Sequence, residues 1–363
     1  MIVSRGGPLP DSVPLLQVRR GGSVESLHRG SVAVVGEDGR LLAAAGDPRG
    51  LVFLRSSAKP AQLVPFLAGG GERRFSLTTE EIALAAASHG GEPFHTRAAA
   101  AMLAKGGFTA ADLHCGIHPP MHEESARALA VRGEAPGPLH SNCSGKHAAM
   151  LLACRLFGED PRTYWRPGHP LQKRILSAVS RLSGVRAARI GLAVDGCSVP
   201  VFRLPLENLA LLYARLMGVR MRGETPRAFA ARVRIVRAMT EAPEMVAGTG
   251  RFTTDLMRAF RGGLLAKEGA EAVYAVGVPP SRTRSLSGGA SVGIALKIED
   301  GGERGRDAVT VEVLRQLGLA SGARLAALRR LAFRPVKNVG GDVVGDMKTV
   351  FRLDRFTSGE RAE

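Results

Sequence analysis

The clearest pattern near the start of the chain is an apolar, β-branched run at 32–35, a polar turn at Glu37-Asp38-Gly39 and a second apolar run at 40–45, which together predict a hairpin. A short apolar run at 51–54 predicts a further strand, and runs at 272–278 and 291–298 predict two more toward the other end. Between them, apolar positions recur at helical spacing over 59–67, 79–87, 123–131, 146–157, 172–182, 206–217 and 226–239. The segment at Thr79 opens on a capping residue followed by Glu80 and Glu81, the acidic first turn expected of a helix start. No internal repeat or low-complexity linker interrupts the series. Strands at both ends and helices between them predict an α/β fold: a mainly antiparallel sheet of N- and C-terminal strands packed against helices. The expected organisation is one domain over 1–363 with a helical subregion at roughly 79–240. The strands near 32–54 and 272–298 are expected to share one sheet, with Ser56 at its edge.

Composition narrows the function classes. The 363 residues are 45% hydrophobic and 23% charged, enough to bury a core and unlike a disordered chain. No stretch reaches the length of a membrane-spanning helix, since the strongest, at 209–219, is interrupted by Arg215. Pro8, Pro10, Asp11 and Pro14 stand where the apolar core of a secretory signal would run, so a cytoplasmic location is expected. Four cysteines are too few for a disulfide framework and none forms a C-x-x-C pair, which leaves them as thiols or thiolates. The net charge of +17 raises the question of nucleic acid. The excess is nearly all arginine, scattered without blocks, and only 5% of residues are aromatic, so neither a nucleic-acid nor a membrane partner is expected.

The first candidate chemistry is Arg55-Ser56-Ser57-Ala58-Lys59-Pro60, where an apolar run ends and a helix begins. Ser56 and Lys59 are three apart, a spacing that puts both on one helix face. A serine hydroxyl attacks only when a base takes its proton, and lysine is such a base when neutral. Burial and the positive end of a helix dipole both favour the neutral amine. Lysine use adds weight, because only eight of the 50 basic residues are lysines. Arginine stays protonated, so a site that needs neutral amines retains lysine. Lys59, Lys146 and Lys267 stand in the most motif-like surroundings.

Six segments occur in an order that resembles the L-asparaginase II family of the rhizobial type: R-S-S-A-K-P at 55–60, A-S-H-G-G-E at 87–92, S-N-C-S-G-K-H at 141–147, D-G-C-S-V-P at 195–200, M-V-A-G-T-G-R at 245–251 and K-E-G-A-E at 267–271. The resemblance continues into 293–301 and 338–345. It implies a fold similar to serine β-lactamases and glutaminases, and hydrolysis of L-asparagine to aspartate and ammonia. It also implies two serine–lysine pairs, Ser56 with Lys59 and Ser88 with Lys267. The first serine would form an acyl-enzyme, and the second pair would relay protons and help activate water.

The same resemblance implies Zn2+ held by Cys143, Lys146 and Cys197 beside the substrate. Two thiolates suit zinc. Lysine is an unusual ligand, and without the resemblance His147 would be the choice for third donor. An amino-acid substrate needs a cation and an anion at fixed separation. Arg55 is the expected carboxylate partner and Asp195 the ammonium partner, with His147 available to the substrate or a metal-bound water. Cys154, on an apolar helix, reads as a buried small hydrophobe, and Cys115 with His118 and His122 reads as structural because Pro119 and Pro120 break the segment.

Two other readings are weighed. A penicillin-recognising hydrolase shares S-x-x-K, but S-D-N and K-T-G are missing. A basic zinc-containing binding module is suggested by the +17 charge and the Cys143/Cys197 pair, but lacks basic residues interleaved with aromatics. Helix-rich stretches at 206–240 and 308–333 carry no motif and are open to packing or a dimer interface. A homodimer is the expected assembly.

Overall fold

The structure, a computed structural model, describes residues 11–356. Residues 1–10, which include Pro8 and Pro10 of the reading against a secretory signal, lie outside the described residues. Contacts divide the chain into two compact units, one comprising 1–57, 204–218 and 266–363, the other 58–203 and 219–265.

The first unit is built on a nine-stranded sheet. Its path runs Val336–Lys337, Val343–Thr349, Val13–Arg20, Ser23–Gly36, Val292–Ile298, Val273–Val278 and Leu265–Gly269. Leu41–Ala45 branches from Ser23–Gly36 and carries Asp354–Arg355. The pairings at the centre are antiparallel, with Val32 opposite both Ala45 and Leu296 and Ala275 opposite Ala295. The expected strands at 32–35, 40–45, 272–278 and 291–298 therefore share one sheet, whereas Leu51–Phe53 lies outside it.

Both faces of this sheet are covered. A Cβ at Gly293 would collide with the Ala210 carbonyl of the helix Leu206–Met217, while Ile298 Cγ2 lies 3.3 Å from where a Cβ would stand on Gly305 of the helix Glu303–Gln316. Positions 293 and 298 differ by an odd number, so they point to opposite faces. Double coverage explains why 30–36 is buried without alternation and reads as a continuous apolar run. The strand Val13–Arg20 was not among those expected; its Pro14 sits at a register shift in the pairing with Ser23–Gly36, a bulge position where a missing N–H is tolerated.

The second unit is largely helical. Lys59–Ala68 is buried along most of its length, with Pro170–Ser183, Ser144–Phe157 and Pro226–Glu241 packed around it. Thr79–Ala85 and Pro93–Lys105 complete the layer. The cap of Thr79–Ala85 is Thr78, one residue earlier than the pattern suggested: its hydroxyl accepts from Glu81 N, and Glu81 Oε2 accepts from Thr78 N at 2.8 Å. Pro93–Lys105 was not expected, although proline at its first position is a helix-start signal.

Candidate active site

In the helical unit the sequence motifs converge on Lys59. It opens the helix Lys59–Ala68 and is 1% exposed. Lys59 Nζ donates to the Ala87 carbonyl, to Ser88 Oγ at 3.0 Å and to Asn142 O at 3.5 Å, and lies 3.3 Å from Cys143 Sγ. Three motifs thus meet at one nitrogen: R-S-S-A-K-P, A-S-H-G-G-E and S-N-C-S-G-K-H.

The loop after Thr79–Ala85 sets Ser88. Its N–H donates to Val246 O at 2.9 Å, and the next N–H, of His89, donates to Asn142 O at 3.3 Å. His89 accepts the Gly91 N–H on Nδ1, so its Nε2 donates to Ser144 Oγ at 2.9 Å. Gly91 has φ +74°, and a Cβ there would stand 2.9 Å from His140 O, two reasons for glycine in this turn.

Cys143 precedes the helix Ser144–Phe157, and Lys146 lies in its first turn. Gly145 lets this helix touch its neighbour, since a Cβ would be 2.5 Å from Leu84 O. Lys146 Nζ donates to Cys197 Sγ at 2.9 Å, and Cys197 hydrogen-bonds Cys143. Shared hydrogen bonding with Cys197 holds the Cys143 thiol well below its usual range, helped by the charges of Lys59 and Lys146 against the effect of burial. Cys197 is pushed up by the same hydrogen bond and by burial, so one of the two ionises first. Burial disfavours the Lys146 ammonium, but the charges of Cys197 and Cys143 outweigh it and raise its pKa. Two sulfurs and one amine thus stand together, buried, in a donor set whose chemistry fits zinc once the amine gives up its proton.

His147 is outside that set. Tyr164 OH accepts from His114 N at 2.8 Å and donates to His147 Nδ1 at 2.7 Å, which places the imidazole proton on Nε2. That Nε2 is buried and has no partner among the described residues. Burial holds the ring well below the usual histidine range, with Lys146 and Lys59 adding to the effect, so it is a neutral donor. Asp195 lies in the turn before Cys197, its Oδ2 3.9 Å from the sulfur, and Ser198 is left-handed at φ +74°.

In the sheet unit, Arg55 and the half-buried Ser56 belong to the 3₁₀ turn Arg55–Ala58, which leads into Lys59–Ala68. Arg55 is itself left-handed, φ +48°, a conformation that costs a non-glycine residue roughly 1–3 kcal/mol and that clusters at functional sites. Ser57 donates to Leu54 O at 2.6 Å, and its carbonyl accepts from Tyr213 OH at 2.8 Å. Lys267 is fully buried on Leu265–Gly269, where its Nζ donates to Glu268 O at 2.9 Å. Gly269 brings this strand against the turn: a Cβ would stand 2.9 Å from Leu54 O and 3.3 Å from Arg55 Cβ.

The remaining cysteines have structural partners. Cys115 lies 3.7 Å from Pro138 O, His118 accepts from Asn142 N, and His122 caps the helix Glu123–Val131. Cys154 is buried, its thiol pushed up to about 12 by burial and then Glu159. Its donor atom lies within 4.8 Å of those of Glu159 and His169, but both nitrogens of His169 are engaged, by Leu171 N–H and Asp160 O. Sequence reasoning passed over Tyr164, His89 and Glu92. The only available signal was the position of His89 and Glu92 within A-S-H-G-G-E.

The sequence profile described as L-asparaginase II matches residues 16–349. No curated protein matches. Among solved structures, Mglu in its native form is 16% identical with a TM-score of 0.42, over 84% of this chain and 64% of its own, so the chain spans less than two thirds of that protein. A probable glutaminase of Bacillus subtilis is 15% identical with a TM-score of 0.38, over 80% of this chain and 89% of its own.

Proposed function

Since the chain belongs to the L-asparaginase II family, we propose that it is an amidohydrolase that hydrolyses the side-chain amide of L-asparagine to L-aspartate and ammonia through a serine acyl-enzyme. The observation that carries the reading is the buried Lys59 amine 3.0 Å from Ser88 Oγ, a lysine placed to exchange protons with a hydroxyl away from water.

In this reading Ser56 Oγ adds to the amide carbon of the substrate while its proton passes to the Lys59 amine. Collapse of the adduct breaks the carbon–nitrogen bond, and the nitrogen departs as ammonia with that proton, leaving an ester on Ser56. Water then adds to the ester and gives a proton to the same amine, which returns it to Ser56 as aspartate leaves. Ser88, hydrogen-bonded to Lys59, extends the proton path, and Lys267 supports the Ser88 step. Arg55 takes the substrate carboxylate and Asp195 its ammonium. His147 Nε2–H, a buried donor without a partner, offers its hydrogen bond to a substrate oxygen; an unmet donor costs about 1–3 kcal/mol that binding would recover.

Cys143, Lys146 and Cys197 would hold zinc. When bound, the ion would supply positive charge and an open position beside the substrate. The Lys59–Ser88 contact also favours a second assignment in which Ser88 attacks and Ser56 relays.

The test is ammonia release over a panel of Asn, Gln, a β-lactam and simple amides. Preference for asparagine supports the reading; preference for glutamine, or β-lactam turnover, overturns it.

A further inference from the structure

The M-V-A-G-T-G-R segment contains none of the residues assigned above, yet it touches Ser88 directly through the Val246 carbonyl. One side chain that holds that segment in place is Glu92. Its side chain is 5% exposed, and its Oε2 accepts from Thr249 N at 3.0 Å. The loop is shaped around this carboxylate. Gly248 has φ +118°, and a Cβ there would stand 2.6 Å from Glu92 Oε2; one on Gly90 would stand 3.2 Å from the same oxygen. From the far side, Thr254 Oγ1 donates to Gly248 O at 2.7 Å.

The histidines around Glu92 direct their hydrogen bonds elsewhere. His95 Nδ1 lies 3.7 Å from Oε2 but accepts from the Glu92 N–H, and its Nε2 donates to Glu244 O at 2.9 Å, so the ring is spent on backbone. His122 Nε2 is 3.9 Å from Oε1, while His122 Nδ1 accepts from Ser125 N. The Glu92 carboxylate therefore accepts from the loop, and the loop's Val246 carbonyl in turn accepts from the Ser88 N–H.

We infer that Glu92 is a positioning residue of the hydrolytic site, its carboxylate locking the 246–249 turn whose Val246 carbonyl fixes the Ser88 backbone beside Lys59. The inference rests on the proposed function only for its kinetic consequence, because the backbone link itself is independent of catalysis. A glutamine keeps an acceptor oxygen for Thr249 N–H, whereas an alanine removes it.

The experiment compares Glu92→Ala, Glu92→Gln and Thr254→Val in the full chain, by ammonia release from asparagine and by hydrogen exchange at the Ser88 amide. Glu92→Ala is expected to lower kcat about 10–100-fold with KM changed less than about threefold, and to speed Ser88 exchange about tenfold or more. Glu92→Gln is expected to stay within about threefold of the parent in kcat. Thr254→Val, which loosens the same turn from the other side, should shift kcat and exchange in the same sense, and it carries the test if Glu92→Ala fails to fold. Unchanged Ser88 exchange in the folded variants overturns the inference, as does a loss confined to KM. If no substrate of the panel is hydrolysed, the functional reading fails while accelerated Ser88 exchange still upholds the backbone link.

Discussion

Ser88 Oγ lies 3.0 Å from Lys59 Nζ, so the lysine that stands three residues after Ser56 in sequence also holds the second serine. Lys59, which the sequence pattern pairs with Ser56, thus contacts Ser88. The same nitrogen lies 3.3 Å from Cys143 Sγ, which joins the candidate hydrolytic residues to the candidate metal ligands within one unit.

In the proposed mechanism Ser56 and Lys59 act as a unit, so Ser56→Ala and Lys59→Ala should each remove more than about nine-tenths of the activity, and the double mutant should lose little beyond either single one. Steady-state ammonia release measures this. Strictly multiplicative losses, or either single variant keeping more than a tenth of the rate, would contradict the shared role.

Zinc at Cys143, Lys146 and Cys197 should be present at about one ion per chain and be lost in both Cys143→Ala and Cys197→Ala. An ample apolar core needs no metal to fold, so the variants should lose substrate affinity more than thermal stability. Acid should release the metal, since all three donors must be deprotonated to bind it. Elemental analysis beside melting curves decides, with full occupancy in either variant counting against the set.

Gly145→Ala should destabilise the chain by about 1–3 kcal/mol, because the new methyl would meet the Leu84 carbonyl at 2.5 Å in a contact between two helices. Urea denaturation of the variant against the parent reads the difference. A stability equal to the parent would mean that the helix spacing is looser than described.

Burial lowers the pKa of His95, with Glu92 and Glu244 pulling the other way and His122 adding to the shift. A depressed folded-state pKa favours the neutral ring, so its stabilising effect is complete above the unfolded value of about 6.5 and is lost as pH falls below it. The urea midpoint should therefore drop between about pH 7.5 and 5.5, and the drop should shrink in His95→Asn. An equal drop in the variant would assign the acid sensitivity elsewhere.

Much of the sheet was legible because doubly covered strands such as 32–35 and 292–298 advertise themselves as apolar runs. Leu265–Gly269 was not, since Lys267 and Glu268 occupy a buried strand whose charges are accommodated by hydrogen bonds and by Arg306, 3.6 Å from Glu268. Val343–Thr349 pairs near the margin of the sheet and buries only Met347, so it shows little apolar pattern. The convergence of Lys59, Ser88 and Cys143 could not be read from spacing, because it depends on how loops at 87–92 and 141–147 are pinned by backbone hydrogen bonds. The motifs identified these loops, while the contact between them is a property of the fold.

The most direct test of a serine acyl-enzyme is to quench the protein during turnover of asparagine at low pH and map the covalent adduct by peptide mass spectrometry. The account predicts an aspartyl ester on Ser56, absent in Ser56→Ala. An ester on Ser88 instead would exchange the roles of the two serines, and steady turnover with no ester on either would contradict covalent catalysis by this site.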